Sequence, residues 1–377
     1  MIKKFLKKIF KIISYGVFLK IYGKIDKTIE SGEDNRVRVK TINLENDIKY
    51  KVYKIHQGRL YTDRIQDTAF IVENKIVEGP SFQLRHTPLE KKTYNSNIRD
   101  NIVFKKGTPR ILRKFNGNIL SLLTGGGGND NYWHWLFNVL PRLEICNREL
   151  NIKEVDYFLF PSLLKKFQNQ TLDFLKIPKT KRISSEKFRH VKAKEIIATD
   201  DPILISGNAT EDNQHIPIWV IKWLKSNFLK GNSAKDNKDK KKIYIDRRNS
   251  NINYAEARSV INEEEIRNYL LEKGFTPVKL HEIEFSKQID LFHNAECVAG
   301  LHGAGFANVI FCKPNTKIIE FRNASLLPVI ENLVKKNDLK YSAIISKEKH
   351  DYDFPSQQGS IHVSLKELSK IIEEYKI

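Results

Sequence analysis

The chain has 377 residues, 40% hydrophobic and 29% charged, which reads as soluble and globular and is too long for one ordinary core. Its formal net charge of +20, from 65 basic and 45 acidic residues, favours anionic partners: a nucleotide, a phospholipid surface, an acidic glycan or nucleic acid. Three widely spaced cysteines, Cys146, Cys297 and Cys312, fit neither a metal cluster nor a disulfide framework and point to a reducing compartment.

The chain opens on a dense run of lysines. Lys3, Lys4, Lys7, Lys8 and Lys11 fall on one side of a helical wheel, and Ile2, Phe5, Leu6, Ile9, Phe10, Ile12, Ile13 and Val17 on the other. Residues 1–24 are therefore expected to form a basic amphipathic helix lying on an anionic membrane surface. Docking on the protein's own core is the alternative. Lysines cut every apolar run well short of the roughly 20 residues that span a bilayer. A secretory signal's unbroken apolar centre and cleavage site are missing. The expected location is cytoplasmic, peripheral on the inner face of the cell membrane.

Short β-favouring runs at 37–42, 50–55, 69–72 and 119–123 predict a β-rich opening to an N-terminal domain over 36–230. Gly125 to Gly128 reads as a flexible turn, since it lacks the spacing of a dinucleotide fingerprint. Asn131 to Arg148 reads as a helix striped by Trp135, Val139 and Leu143, with Pro141 demanding a kink or an early end. Strands at 157–160 and 195–198 flank a helix at 162–175, an alternation that argues for parallel strands. The polar run 231–242 reads as a linker.

A second domain, 243–350, follows the same theme. Strand 243–245 precedes a helix capped by Asn262, with Glu263, Glu264 and Glu265 at its positive end and Gly274 closing it. Val278 to Leu280, a helix from Ser286, a strand through Cys297 and a strand at 317–321 complete it. A tail, 351–377, carries a helix at 365–375 that is expected to cross back to the first domain.

Three segments carry the chemistry. The first is Asn131-Tyr132-Trp133-His134-Trp135-Leu136-Phe137-Asn138; the second is the pair Arg247-Arg248. The third runs from strand Val298-Ala299-Gly300 through Leu301-His302-Gly303-Ala304-Gly305 to Ile319-Glu320. An apolar strand, a glycine turn and a helix N-terminus make an anion site, because free N–H groups and the helix dipole point at one spot. Gly303 and Gly305 would let a phosphate approach the backbone.

Taken in that order, the segments resemble glycosyltransferase family 61, over roughly Gly125 to Phe321. Its members include plant xylan arabinosyl- and xylosyltransferases and protein O-GlcNAc transferases. The resemblance implies an α/β, GT-B-like fold with two Rossmann-like domains facing a cleft, a nucleotide-sugar donor, inversion at the anomeric carbon and no obligatory metal or other cofactor. The sequence departs from the family at Asp246, where a serine is common.

On this reading Arg247, at the C-terminal end of a strand, grips the donor diphosphate, with Arg248 beside it and the amides of Gly303, Ala304 and Gly305 opposite. His302 donates to the phosphates or the donor sugar, and Glu320 holds ribose hydroxyls. The structural alternatives are a surface arginine, a buried histidine and an ordinary strand-end charge. His134 is the candidate base, with Asp130 as rival base or as the N-cap. Tyr132 and Trp133 offer planes to the acceptor sugar, and Arg142 reaches the acceptor or pairs with Glu144. An aromatic core around one satisfied histidine is the alternative. Asp351-Tyr352-Asp353 matches a D-x-D metal motif of low specificity, and no metal role is assigned.

The sequence is thus read as a bacterial enzyme moving a sugar, usually UDP-linked, to a glycan or lipid-linked acceptor in surface polysaccharide synthesis, such as capsule or lipopolysaccharide. One rival is a non-catalytic peripheral membrane protein that binds sugar or lipid. The other is a nucleic-acid-binding protein, disfavoured because the charge gathers at the N-terminus and linker without a groove-reading motif.

Overall fold

A computed structural model describes residues 13–45, 48–87, 92–232, 241–248, 259–346 and 360–377. The chain divides into two compact units, with the change from the first to the second at Asp212/Asn213. The polar run 231–242 had suggested a later boundary. The helix Ile218–Asn232 moves it, because Phe228 meets Phe285 and Phe311 of the second unit in edge-on ring contacts. That helix is a buried element of the second unit, not the last of the first.

The first unit is built on a mixed sheet. β1 (Lys27–Ile29), β2 (Val37–Glu45), β3 (Ile48–His56), β4 (Arg59–Thr62), β5 (Asp67–Val72), β6 (Lys75–Val77), β7 (Phe82–Thr87) and β8 (Lys92–Asn95) supply a part that is antiparallel except where β1 lies parallel to β6. β9 (Arg113–Ser121), β10 (Tyr157–Phe160), β11 (Arg182–Ser184) and β12 (His190–Thr199) follow, and β12, β9, β10 and β11 lie side by side and parallel. β12 joins the two parts: its start pairs antiparallel with β4 and its end with β3. This four-stranded region matches the expected parallel layer; elsewhere in the sheet β1 and β6 pair in parallel and the remaining strands pair antiparallel. One core cluster, built from the strands themselves, gathers Ile55, Leu60, Phe70, Ile119, Leu159 and Ile196.

At the N-terminus, residues 13–22 are helical, and the lysine-rich residues before them lie outside the described residues. Tyr22 sits edge-on to His190, its hydroxyl accepts from Leu112 N, and Leu19 meets Gly107. Ile13, Val17 and Ile21 are exposed in a stripe four residues apart. This helix therefore docks by one face and leaves its apolar stripe open.

The second unit is a five-stranded, all-parallel sheet: β13 (Lys241–Ile245), β14 (Phe275–Val278), β15 (Ala295–Leu301), β16 (Lys317–Asn323) and β17 (Lys340–Ser346), in the order β14-β13-β15-β16-β17. The strands are near-continuous apolar runs because helices cover both faces. Ile266 and Leu270 of helix Glu263–Glu272 and Leu368 and Ile372 of helix Leu365–Tyr375 pack with Tyr244, Phe321 and Ile344. The C-terminal helix thus returns to its own unit's sheet, where Tyr375 bonds Ser342 and Ile361 bridges Val260, and the expected crossing to the first domain is replaced. Asn262 precedes its helix as expected but caps differently: its amide joins Glu265 and the Val363 carbonyl.

His190 gives a testable consequence of this packing. Burial, opposed by a bond to the Arg110 carbonyl, lowers its pKa to about 4. Unfolding restores an ordinary imidazole near 6.5 that takes up a proton sooner, so the folded state is penalised as pH falls from about 6.5 towards 4. Denaturant unfolding should show up to about 3 kcal/mol lost over that window, and His190→Phe should flatten the slope there. An unchanged slope in the variant would assign the acid sensitivity to other groups.

Candidate active site

The sheet order of the second unit decides where a ligand sits. The chain runs from β13 outward to β14, then crosses to β15 on the other side. The direction of winding reverses between β13 and β15, and in open parallel sheets ligands bind beyond the strand ends at that point. Arg247 follows β13 by two residues, and His302-Gly303 follow β15 directly. The two strand ends are in register, Ile245 beside Gly300.

They are also tied together. Arg247 Nη1 donates to the His302 carbonyl at 2.8 Å. A Cβ on Gly303 would stand 3.2 Å from Arg247 Nη1, so glycine lets the guanidinium lie against the turn. A Cβ on Gly305 would stand 2.8 Å from Leu280 Cδ1. Both glycines, expected to make room for a phosphate, make room for protein neighbours. The expected helix after the turn is a 3-10 helix, Ala304–Phe311, fixed by Phe306 N donating to Gly303 O. Its first amides, from Ala304 on, have no partner within the helix.

Arg247 and Arg248 differ sharply. Arg248 is half exposed and grips Asp246 through Nε and Nη2, the latter at 2.6 Å. Burial pushes the Asp246 carboxyl up, but the Arg248 bonds outweigh it and hold the pKa below the usual range. Asp246 thus neutralises Arg248 and accepts its backbone N–H. Arg247 bonds a neutral carbonyl, which leaves its charge uncancelled by that contact, and burial pulls its pKa down. Beside it, Tyr244 donates to Glu263 Oε1. Burial raises the Glu263 pKa. Glu263, a helix-end charge by sequence, reaches the switch point because its helix packs against β13.

Glu320 is 1% exposed, and both its oxygens are engaged, one by His302 Nδ1 and the other by the Tyr341 hydroxyl. The expectation that it holds ribose hydroxyls gives way, because those acceptor positions face His302 and Tyr341.

A second cluster lies in the first unit. The segment expected to be one helix is Tyr132–His134 as α-helix, Trp135–Val139 as π-helix and Arg142–Asn147 as α-helix, with Pro141 at the break. Leu140 N reaches Trp135 O, a wide turn that precedes the residue lacking an N–H. Asn131, rather than Asp130, caps the first piece, accepting from Trp133 N. Asp130 is exposed at the end of helix Gly127–Asp130.

His134 Nδ1 meets Asn138 Oδ1 at 2.9 Å, and Asn138 Nδ2 donates to Asp201 Oδ1 at 2.9 Å. Since the Asn138 amide nitrogen is used on Asp201, its oxygen faces the ring and can only accept. Nδ1 therefore carries the hydrogen, and neutral His134 keeps its lone pair on Nε2. Burial lowers the His134 pKa, opposed by the Asn138 bond. The ring lies against Gly127, where a Cβ would stand 2.8 Å from Cδ2; the glycine run is a packing surface here rather than a free turn.

Arg142, expected to reach an acceptor or Glu144, is 6% exposed and spends its nitrogens on Asn138 O, Thr199 O and Asp201 Oδ2. Glu144 pairs with Arg148 instead. Trp133 is 8% exposed and edge-on to Phe137, so its ring serves the core; Tyr132 is half-buried against Phe167. Asp351-Tyr352-Asp353 lies outside the described residues, and among the described residues no three His, Cys, Asp or Glu side chains gather as metal ligands.

The family model "Glycosyltransferase 61" matches residues 132–319, about half of the chain, a stretch that takes in His134, Arg142, Arg247, Arg248 and the His302 turn. The EGF domain-specific O-linked N-acetylglucosamine transferase of Gallus gallus is 30% identical over 107 residues, 27% of this chain. The chain spans 19% of that relative's length. The two matches support family 61 and a glycosyltransferase.

The Arg142 network predicts a stability effect. Arg142→Met should cost about 3–5 kcal/mol, because it leaves Asp201 buried without its cation. Lys335→Met, at the exposed pair with Glu331, should cost under about 1 kcal/mol. Urea unfolding of both variants checks the contrast, and equal losses would deny Arg142 its anchoring role.

Proposed function

We propose, from a glycosyltransferase 61 domain at residues 132–319, that this chain is an inverting, metal-independent glycosyltransferase of GT-B type. It takes a nucleotide-sugar donor, UDP-linked by preference, and a glycan or lipid-linked acceptor of a bacterial surface polysaccharide. The observation that carries this reading is the meeting of Arg247 with the His302-Gly303 turn at the winding reversal of an all-parallel sheet.

The roles follow from charge and protonation. Departure of a nucleoside diphosphate builds negative charge on its terminal oxygen, and the Arg247 guanidinium with the first amides of the 3-10 helix suits that charge. Inversion also requires a base for the acceptor hydroxyl. His134 suits that task through a neutral ring, its Nδ1–H held by Asn138 and its Nε2 lone pair free to take the proton. As the acceptor oxygen bonds to the anomeric carbon, its proton passes to Nε2 and the electron pair of the broken bond stays on the diphosphate.

A peripheral membrane position is part of the proposal. Ile13, Val17 and Ile21 form an exposed apolar stripe, and Lys20 and Lys24 are exposed too. No helix among the described residues is long and apolar enough to cross a membrane.

Two experiments test these roles. In a transfer assay with excess chelator, Arg247→Ala should lower turnover about 100-fold or more. His134→Ala should lower it by about 100-fold or more with donor affinity unchanged. Near wild-type turnover in folded Arg247→Ala removes the phosphate role. A dead Asp130→Asn beside an active His134→Ala reassigns the base, and loss of activity in chelator reversed by manganese overturns metal independence. For the membrane, the triple change Ile13→Ser, Val17→Ser, Ile21→Ser should weaken sedimentation with phosphatidylserine vesicles roughly tenfold. Tyr22 keeps the helix docked, so the unfolding midpoint should hold. Unchanged vesicle binding would make the stripe irrelevant to lipid.

A further inference from the structure

Resting on the donor-site reading above, we propose that Tyr341 is a positioning residue for the transfer, acting through Glu320 to hold His302 as a hydrogen-bond donor to the departing diphosphate. The three side chains come from neighbouring parallel strands. His302 lies just past β15, Glu320 is in β16 and Tyr341 is in β17. His302 N donates to Phe321 O, which fixes the backbone beside Glu320, and the His302 carbonyl receives Arg247.

The carboxylate is the pivot. Glu320 is 1% exposed, and a buried carboxylate with an unfilled oxygen is costly. The His302 ring fills one oxygen and the Tyr341 hydroxyl fills the other at 2.5 Å, so the carboxylate plane is held from both sides. Burial and the Glu320 charge keep the Tyr341 phenol protonated, and it stays a donor. With Nδ1 committed to Glu320, Nε2 is the ring's remaining polar atom, and the side chain keeps 15% of its surface exposed. With a carboxylate at Nδ1 and a diphosphate oxygen at Nε2, both ring nitrogens face acceptors, an arrangement that a ring bearing a hydrogen on each nitrogen completes.

The step balances without a proton leaving His302. The bond from the anomeric carbon to the diphosphate oxygen breaks, and its electron pair remains on that oxygen. The acceptor oxygen forms the new bond and loses its proton to the base. The Nε2–H of His302 donates to the oxygen that gains charge, beside the Arg247 guanidinium. Without the Tyr341 hydroxyl, Glu320 is free to turn, and the imidazole loses its fixed direction.

The test uses the full chain and calorimetric titration with UDP, GDP and dTDP. For the nucleotide that binds wild type, Tyr341→Phe should weaken affinity about fivefold and His302→Ala more. In the His302→Ala background, Tyr341→Phe should add nothing, since both act on one contact. A Tyr341→Phe effect that persists undiminished without His302, or no effect at all, overturns the proposal while leaving the donor site standing. If wild type binds none of the nucleotides, the donor reading fails and the proposal with it. In the transfer assay, Tyr341→Phe should lower kcat while the acceptor KM holds, and an unchanged kcat also overturns the proposal.

Discussion

The hydrogen bond from Arg247 to the His302 carbonyl joins the two strand ends where the sheet of the second unit reverses its winding. That geometry depends on the whole sheet. The order β14-β13-β15-β16-β17 places β13 and β15 side by side, and their register brings Ile245 level with Gly300. The chain past Gly300 then turns within reach of a side chain two residues past Ile245. Gly303 is needed there for closeness, since any larger residue would press on the guanidinium. The neighbouring Asp246–Arg248 pair cancels its own charge and holds the turn. A cation held against a neutral carbonyl beside open helix amides is the arrangement an anion would complete.

The first unit solves a different problem, which is keeping a neutral imidazole in one tautomer. Asp201 does this indirectly. It accepts from Asn138 and Arg142, and its first oxygen also takes Ile203 N and Leu204 N. Arg142 balances that buried charge and ties the helix after Pro141 to β12 through Thr199 O. His134 and Asn138 stand four residues apart, the spacing that brings side chains together on one helix face, and they bond across the wide turn at Trp135–Val139. Histidine and arginine in this segment therefore do different work, one kept neutral for chemistry and the other kept charged for the fold.

Much of the second unit was legible because buried parallel strands read as plain apolar runs. Residues 243–245, the Cys297 strand and 317–321 could be placed from that pattern, as could the helix at 365–375. The unit boundary was not legible. The stripe Val220, Leu224 and Phe228 looks the same whichever core receives it, and only packing assigns it to the second unit. Site residues followed the same rule. His134, Arg247 and His302 stand in local motifs, whereas Asp201 lies 59 residues from Arg142 and Tyr341 lies 21 from Glu320. One route to Tyr341 existed: once β16 and β17 run parallel, Tyr341 pairs with Ile318, two residues before Glu320 and so on the same sheet face. Roles given to Trp133 and Arg142 from side-chain type alone ignored burial, which turned both inward.

The central claim is that the winding reversal between β13 and β15 binds a nucleoside diphosphate. A crystal structure of the chain with UDP tests it most directly. The account predicts the diphosphate between the Arg247 guanidinium and the amides of Gly303, Ala304 and Gly305, with His302 Nε2 directed at a phosphate oxygen. A diphosphate bound elsewhere on the chain, with Arg247 and the His302 turn untouched, would contradict it.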